Sequence, residues 1–303
     1  MTSFTFRPAT FDDIDIVHQI VVEQNILDFG EPVRTVDSIR QGWSSPNFNL
    51  ELDSFVAITS NGKIAGYAEL RDNEDIFVYL ASQNQDVGLA NHLLELLEER
   101  ARSQDRKPAS LYAQVGYRNS ALIKSFDSNG FISGLSFLVM ETVMTKQPQA
   151  PEWPDEIVLR AFIPNQDEQA IYQADEEAGK DKGYHSSLSY EKWTRRMGMD
   201  RKNFDPSIWH IAWDKNEIAG VALNILNENT NIGWVDHLSV RSAWRNKGIG
   251  RALLLQTFGE FFKRGIYTVK LSVDSKSLTN APRLYESVGM KTAEKYHIYK
   301  KVL

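Results

Sequence analysis

The sequence predicts an α+β protein made of two tandem copies of one domain. Three observations lead there. Landmarks recur at near-constant spacing: Arg160 repeats Arg7, Gly220 repeats Gly66, Gly248 repeats Gly88 and Gly289 repeats Gly130, at offsets of 153 to 160 residues. A long fixed period with a small insertion signals duplication. Thr145–Pro154 carries three prolines in ten positions, the composition of a linker. Each copy also reads in the same order: strand, helices, β-hairpin, strand, loop, helix, strand, helix, strand. A chain of 303 residues gives each copy enough length to bury its own core. The expected organisation is a first domain over residues 1–146, a linker over 147–154 and a second domain over 155–303.

The elements follow from local pattern. Residues 3–8 alternate as a strand does, and Ile14 to Ile26 has helical periodicity. Trp43 to Asn49 reads as loop. Strands are predicted over 54–59 and 64–70, joined by the hairpin signal Ser60-Asn61-Gly62-Lys63. A strand over 76–81, a loop over 82–88 and a helix over 89–102 follow. The first copy closes with a strand over 110–114, a short helix over 121–128 and a strand over 137–144. The second copy repeats the order with a strand over 157–161, a hairpin over 207–224, and strands over 234–240 and 267–273.

Bulk properties exclude several classes. The formal net charge is −6, which argues against a general nucleic-acid binder. No apolar run approaches the ~20 residues needed to span a membrane, and the start, MTSFTFRPATFDD, has no signal-like segment. With no cysteine there is no disulfide, thiolate metal site or cysteine nucleophile. The histidines show no ligand spacing, so no metal is expected. A cytoplasmic location and a monomer or homodimer are the expectations.

The chemistry concentrates after the strand over 234–240. Arg245-Asn246-Lys247-Gly248-Ile249-Gly250-Arg251 opens a helix in which Ile249, Ala252, Leu253, Leu255, Phe258 and Phe262 keep a three- and four-residue rhythm. A helix start offers free N–H groups and a positive dipole end, and so binds anions. Glycines let a phosphate approach the backbone, and Arg245, Lys247 and Arg251 add charge. A P-loop would need Gly-Lys-Ser/Thr, and a dinucleotide fingerprint would need a third glycine where Leu253 stands. Neither fits.

Arg-x-x-Gly-x-Gly after a strand valine, Val240, resembles the acetyl-CoA loop of the GNAT N-acetyltransferases. The later run Asp274 to Met290 resembles that superfamily's second signature, with Ala281, Leu284, Tyr285 and Gly289 in place. It is most similar to the mycothiol-synthase-like branch, also built of two copies. Ser277 stands for the usual asparagine and Met290 for the usual phenylalanine. Pro282 fits only a first helical turn, placing the helix start near Ala281. The resemblance implies two domains with a mixed central sheet flanked by helices. It also implies a coenzyme A site formed by Leu238, Ser239, Val240, Arg245, Asn246, Lys247, Gly248, Ile249, Gly250, Arg251, Ser277, Asn280 and Ala281.

The resemblance implies that Tyr285 lies near the thioester sulfur. A phenol with a pKa of ~10 keeps its proton at neutral pH and can give it to a thiolate. The attacking amine must lose a proton, and His237 or Asp236, on the strand ahead of the turn, is the candidate acceptor. Strand alternation puts at most one of them on the site side. A water relay would need neither. A backbone N–H near Leu238–Val240 would meet the developing oxyanion, as the family implies. The tryptophans read as core, and Tyr184-His185 as a solvated loop.

The first copy looks degenerate. Asp86 and Val87 replace Asn246 and Lys247, and Phe126, which has no proton to give, replaces Tyr285. The expected function is transfer of acetyl from acetyl-CoA to a primary amine, by direct attack, in the second copy. The acceptor could be a small molecule or a peptide. The alternative is a non-catalytic acyl-CoA-binding sensor or assembly protein.

Overall fold

Residues 3–105, 107–180, 187–200, 204–227, 230–277 and 281–303 are described by a computed structural model. The hairpin and helix signals become regular elements close to their expected bounds. The chain begins with β1 (Phe4–Arg7), α1 (Ile14–Phe29), α2 (Val36–Trp43), α3 (Leu50–Asp53), β2 (Ser54–Thr59) and β3 (Ile64–Arg71). It continues through β4 (Asp75–Leu80), α4 (Val87–Ser103), β5 (Ser110–Gly116), α5 (Ser120–Ser128) and β6 (Ile132–Val143). The second copy holds β7 (Ile157–Arg160), α6 (Glu168–Gly179), α7 (Tyr190–Arg196), β8 (His210–Asp214) and β9 (Glu217–Asn227). It ends with β10 (Ile232–Val240), α8 (Ile249–Lys263), β11 (Thr268–Asp274), α9 (Ala281–Ser287) and β12 (Lys291–Val302).

The compact units are not the sequence repeats. One unit joins Met1–Leu138 to Glu294–Leu303, and the other is Val139–Ala293. The last strand of the chain therefore completes the first copy's sheet. Tyr296 to Val302 of β12 run antiparallel to Gly116 to Ser110 of β5. In turn, residues 139–143 of β6 belong with the second unit, where Met144 N donates to Tyr267 O at the head of β11.

In the first unit the strand order is β1-β2-β3-β4-β5-β12. Alternation on β3 sends Tyr67 and Glu69 to one face and Ala68 and Leu70 to the other. The α1 side is filled by Val17, Ile20, Val21, Ile39, Trp43 and Val56. The α4 side is filled by Leu89, Leu93, Leu94, Leu97, Leu111 and Phe126. In the second unit the order is β6-β11-β10-β9-β8-β7. There α8 buries Ile249 and Leu253 against Ala212, Ala219 and Ala222.

Both units contain one parallel pair that comes apart. β10 pairs with β11 only from Ile232↔Thr268 to Val235↔Leu271. β4 meets β5 only at Asp75↔Tyr112. A parallel pair that ends early leaves unpaired backbone groups along the diverging edge, and those groups need partners. No helix among the described residues is long and apolar enough to cross a membrane.

Candidate active site

β10 carries the site because of one irregularity. Its register against β9 shifts between Val235 and His237, so Asp236 is the extra residue of a bulge. A bulge breaks strict alternation and re-aims side chains. The bulge brings the two neighbours together, with His237 Nε2 3.7 Å from Asp236 Oδ2. The bulge falls at the residue where β10 leaves β11.

His237 is held from α6. Its Nδ1 lies 2.6 Å from Asp175 Oδ2. Ser239 Oγ donates to Asp175 Oδ1 at 2.6 Å, and Trp193 Nε1 donates to Oδ2 at 3.0 Å. Asp175 is only 5% exposed. Burial pushes its carboxyl up, but the His237 charge and the hydrogen bonds from His237, Ser239 and Trp193 outweigh it. The group is held well below the usual carboxylate range. An ionised Asp175 accepts from Nδ1, so in the neutral imidazole the free lone pair is on Nε2.

Sequence reasoning missed Asp175, since 62 positions separate it from His237. One signal was present. α6 buries Ile171, Ala174, Asp175 and Ala178, so a carboxylate sits inside an apolar stripe. A polar residue at a core position breaks the local pattern, and such breaks mark functional or strained positions. Ser239 was expected to serve through its backbone. Its side chain also braces Asp175.

The glycine turn presents the start of α8, where a helix has free backbone N–H groups. Gly248 is the N-cap of α8 with φ +85 and has no side chain to cap the helix. Nothing lies within 4 Å of where its Cβ would be, so positive φ alone calls for glycine there. Gly250 is glycine for another reason: its Cβ would meet Leu284 Cδ2 of α9 at 3.2 Å. Asn246 also has positive φ, and Asn246 and Lys247 are exposed. Ile249 is buried under the turn. Arg245 turns inward. Its Nε donates to Val240 O and its Nη2 to Ala178 O, so it braces β10 against α6. Arg251 contacts Gln149 Oε1 at 3.1 Å.

The first copy differs at this point. Asp86 caps α4, accepting from Leu89 N at 2.8 Å. A carboxylate occupies the position that the second copy leaves uncapped. Phe126 is core, packed on Phe131 and Tyr299. Asn119 caps α5 through Leu122 N.

Tyr285 is buried on α9, which begins at Ala281. Ser277 closes the turn after β11 with its N–H on Asp274 O. Leu238 and Val240 border the core beneath α8. Asn280, Tyr184 and His185 lie outside the described residues.

The sequence of the Acetyltransferase (GNAT) family matches residues 19–131 and 169–290, once in each copy and over more than half of the chain. The chain belongs to that family. A mycothiol acetyltransferase from Thermobispora bispora is 32% identical over 155 residues, 50% of this chain and 52% of that protein. The match thus spans about half the length of that curated relative. A solved GCN5-related N-acetyltransferase from Sphaerobacter thermophilus superposes with a TM-score of 0.80 at 27% identity, over 99% of this chain and 95% of that one. A tandem GNAT protein from the clavulanic acid biosynthesis pathway gives a TM-score of 0.68 at 14% identity, covering 99% and 98%. That last likeness concerns the fold alone. As a GNAT chain the protein carries two copies of the fold, as the internal repeat predicts.

Proposed function

We propose that the protein is an N-acetyltransferase using acetyl-CoA and a primary amine, with its chemistry in the second copy. The carrying observation is the Asp175–His237 pair at the bulge where β10 leaves β11. The bulge opens the strand edge and the pair supplies a fixed base. The uncapped α8 start, four residues beyond Arg245, favours the diphosphate of coenzyme A. Lys247 and Arg251 add charge there, while Arg245 shapes the turn.

The reaction is direct attack. The ammonium gives a proton to His237 Nε2. The amine nitrogen then bonds the thioester carbonyl carbon while an N–H from the Leu238–Val240 edge meets the oxyanion. The C–S bond breaks and Tyr285 donates the phenolic proton to the departing sulfur; the second proton lost from the nitrogen as the amide forms returns to the phenolate. Asp175 stabilises the imidazolium. The name of the curated relatives supports a small-molecule acceptor over a peptide. Asp86 on the α4 start supports a first copy that does not take the coenzyme.

A thiol-release assay with a panel of small amines tests this reading. The expected result is amine-dependent release that falls in both His237→Ala and Tyr285→Phe. Binding of acetyl-CoA without release for any amine would favour the sensor reading instead.

A further inference from the structure

The two copies differ beside the strand that leads into the glycine turn. In the second copy Arg241 follows β10, and its N–H donates to Ala219 O. In the first copy Ala81 follows β4, and its N–H donates to Ala65 O. The two residues therefore hold the same place. Glu177 on α6 and Glu23 on α1 also correspond, because buried Ile171, Ala174, Asp175 and Ala178 repeat buried Val17, Ile20, Val21 and Gln24 position for position.

The second copy fills this place with its own guanidinium. Arg241 Nε donates to Glu177 Oε2 at 2.9 Å and Nη1 to Ile218 O at 3.1 Å, while Nη2 lies 2.9 Å from the same Glu177 oxygen. The group lies over the Trp244 ring, 4.8 Å from its centre. The first copy has neither large side chain of this corner. Ala81 replaces Arg241, and Ile58, opposite Ile64, replaces Trp213, opposite Ile218. What remains is a cleft of ≈ 470 Å³ between α1 and the β2–β3 hairpin.

Glu23 is kept on the cleft wall. It accepts from Gln19 Nε2 at 2.9 Å and from Ser82 N at 3.4 Å. A carboxylate has about four acceptor positions, so both oxygens can accept more. The Gln19 bond, against partial burial and helped by Ser82, holds this carboxyl below the usual range, so it is ionised at neutral pH. Arg7 also lines the cleft, but its guanidinium is committed to Asp13 at 2.7 and 2.8 Å. Lys63 is exposed at the rim, where the second copy has Glu217, 3.8 Å from Arg241. Ile16, Ile20, Ile58 and Ile64 add apolar wall.

We infer that the first-copy cleft binds a small guanidino carboxylic acid, its guanidinium on Glu23 where the second copy places Arg241, its carboxylate on Lys63 and its methylene stem along the isoleucines. A guanidinium has only donors and makes charge-assisted bonds to a carboxylate, as Arg241 does on Glu177. Lys63 in place of Glu217 reverses the charge at the rim, which favours a ligand with an anion at its far end. A volume of this size suits a small molecule.

The test is calorimetric titration of the whole chain with γ-guanidinobutyrate, which has no amino group to acetylate. Its neutral analogue γ-ureidobutyrate and butylguanidine, which lacks the carboxylate, are the comparisons. The guanidino acid should bind about ten-fold more tightly than either. Ala81→Arg, which supplies the second copy's side chain to the cleft, should abolish binding. Glu23→Gln should weaken it about ten-fold, and Lys63→Glu should remove the preference over butylguanidine. Equal affinity for the guanidino and ureido acids, or full affinity in both Ala81→Arg and Glu23→Gln, would overturn the inference. A preference unchanged in Lys63→Glu would overturn the placement of the carboxylate.

Discussion

Asp175→Asn separates a structural from a positioning role for the α6 carboxylate. Asp175 accepts from three donors, at 2.6, 2.6 and 3.0 Å. Hydrogen bonds to a charged group contribute about 1.5–3 kcal/mol each. Asparagine with its oxygen where Oδ2 stands keeps the His237 and Trp193 bonds and turns its NH2 to Ser239 Oγ, which can accept. What is lost is the charge in those bonds, partly offset by removing a buried carboxylate, at a cost of about 1–3 kcal/mol. A neutral amide no longer stabilises the imidazolium that forms when His237 takes the amine's proton, so kcat should fall on the order of 10²-fold. Because the folded carboxyl of Asp175 is depressed, its stabilisation is present above the ordinary carboxylate value of about 3.9 and fades as pH falls below it. The variant should therefore lose less stability toward acid than the parent. Urea unfolding from pH 3 to 8 and thiol release with a saturating amine read both effects. A folded Asp175→Asn protein with kcat within two-fold of the parent would refute the positioning argument.

Tyr285→Phe should lower kcat about 10²-fold with KM for acetyl-CoA little changed, as expected for loss of a general acid; steady-state thiol release measures it. Gly248→Val should cost about 1–2 kcal/mol, the left-handed penalty alone, because the space around the position is open. It should also raise KM for acetyl-CoA; urea melts and initial rates check the two effects. Asp28→Asn should stabilise the protein at pH 8 relative to the parent and converge with it near pH 4. The raised carboxyl of Asp28 favours the protonated folded state, so its contribution is lost as pH rises through about 7. Unfolding at pH 5 and pH 8 measures that gap.

The repeat, the hairpins and the glycine turn were legible because each rests on local pattern. Asn61-Gly62 marks a turn within four residues, and Gly248 marks a helix start within one. Long-range partnership was not legible. Nothing near Lys291–Val302 indicates that this strand pairs with β5 rather than with its own copy, since strand pattern does not encode the neighbour. The bulge at Asp236 also has no local mark: Trp234-Val235-Asp236-His237 reads as plain strand, and the register shift is defined only against β9. Arg245 was read as a charge for the ligand because charge is visible in sequence. Its direction depends on carbonyls of Val240 and Ala178, which lie on other segments. Asp175 left a faint trace, a carboxylate on the apolar side of α6, that gains meaning only beside His237.

The measurement that bears most directly on the account is the stoichiometry of acetyl-CoA binding by isothermal titration. One molecule per chain is expected, lost in the Lys247→Glu, Arg251→Glu double variant and kept in Gly88→Glu. Two equivalent sites, or binding that survives the double charge reversal and disappears in Gly88→Glu, would contradict it.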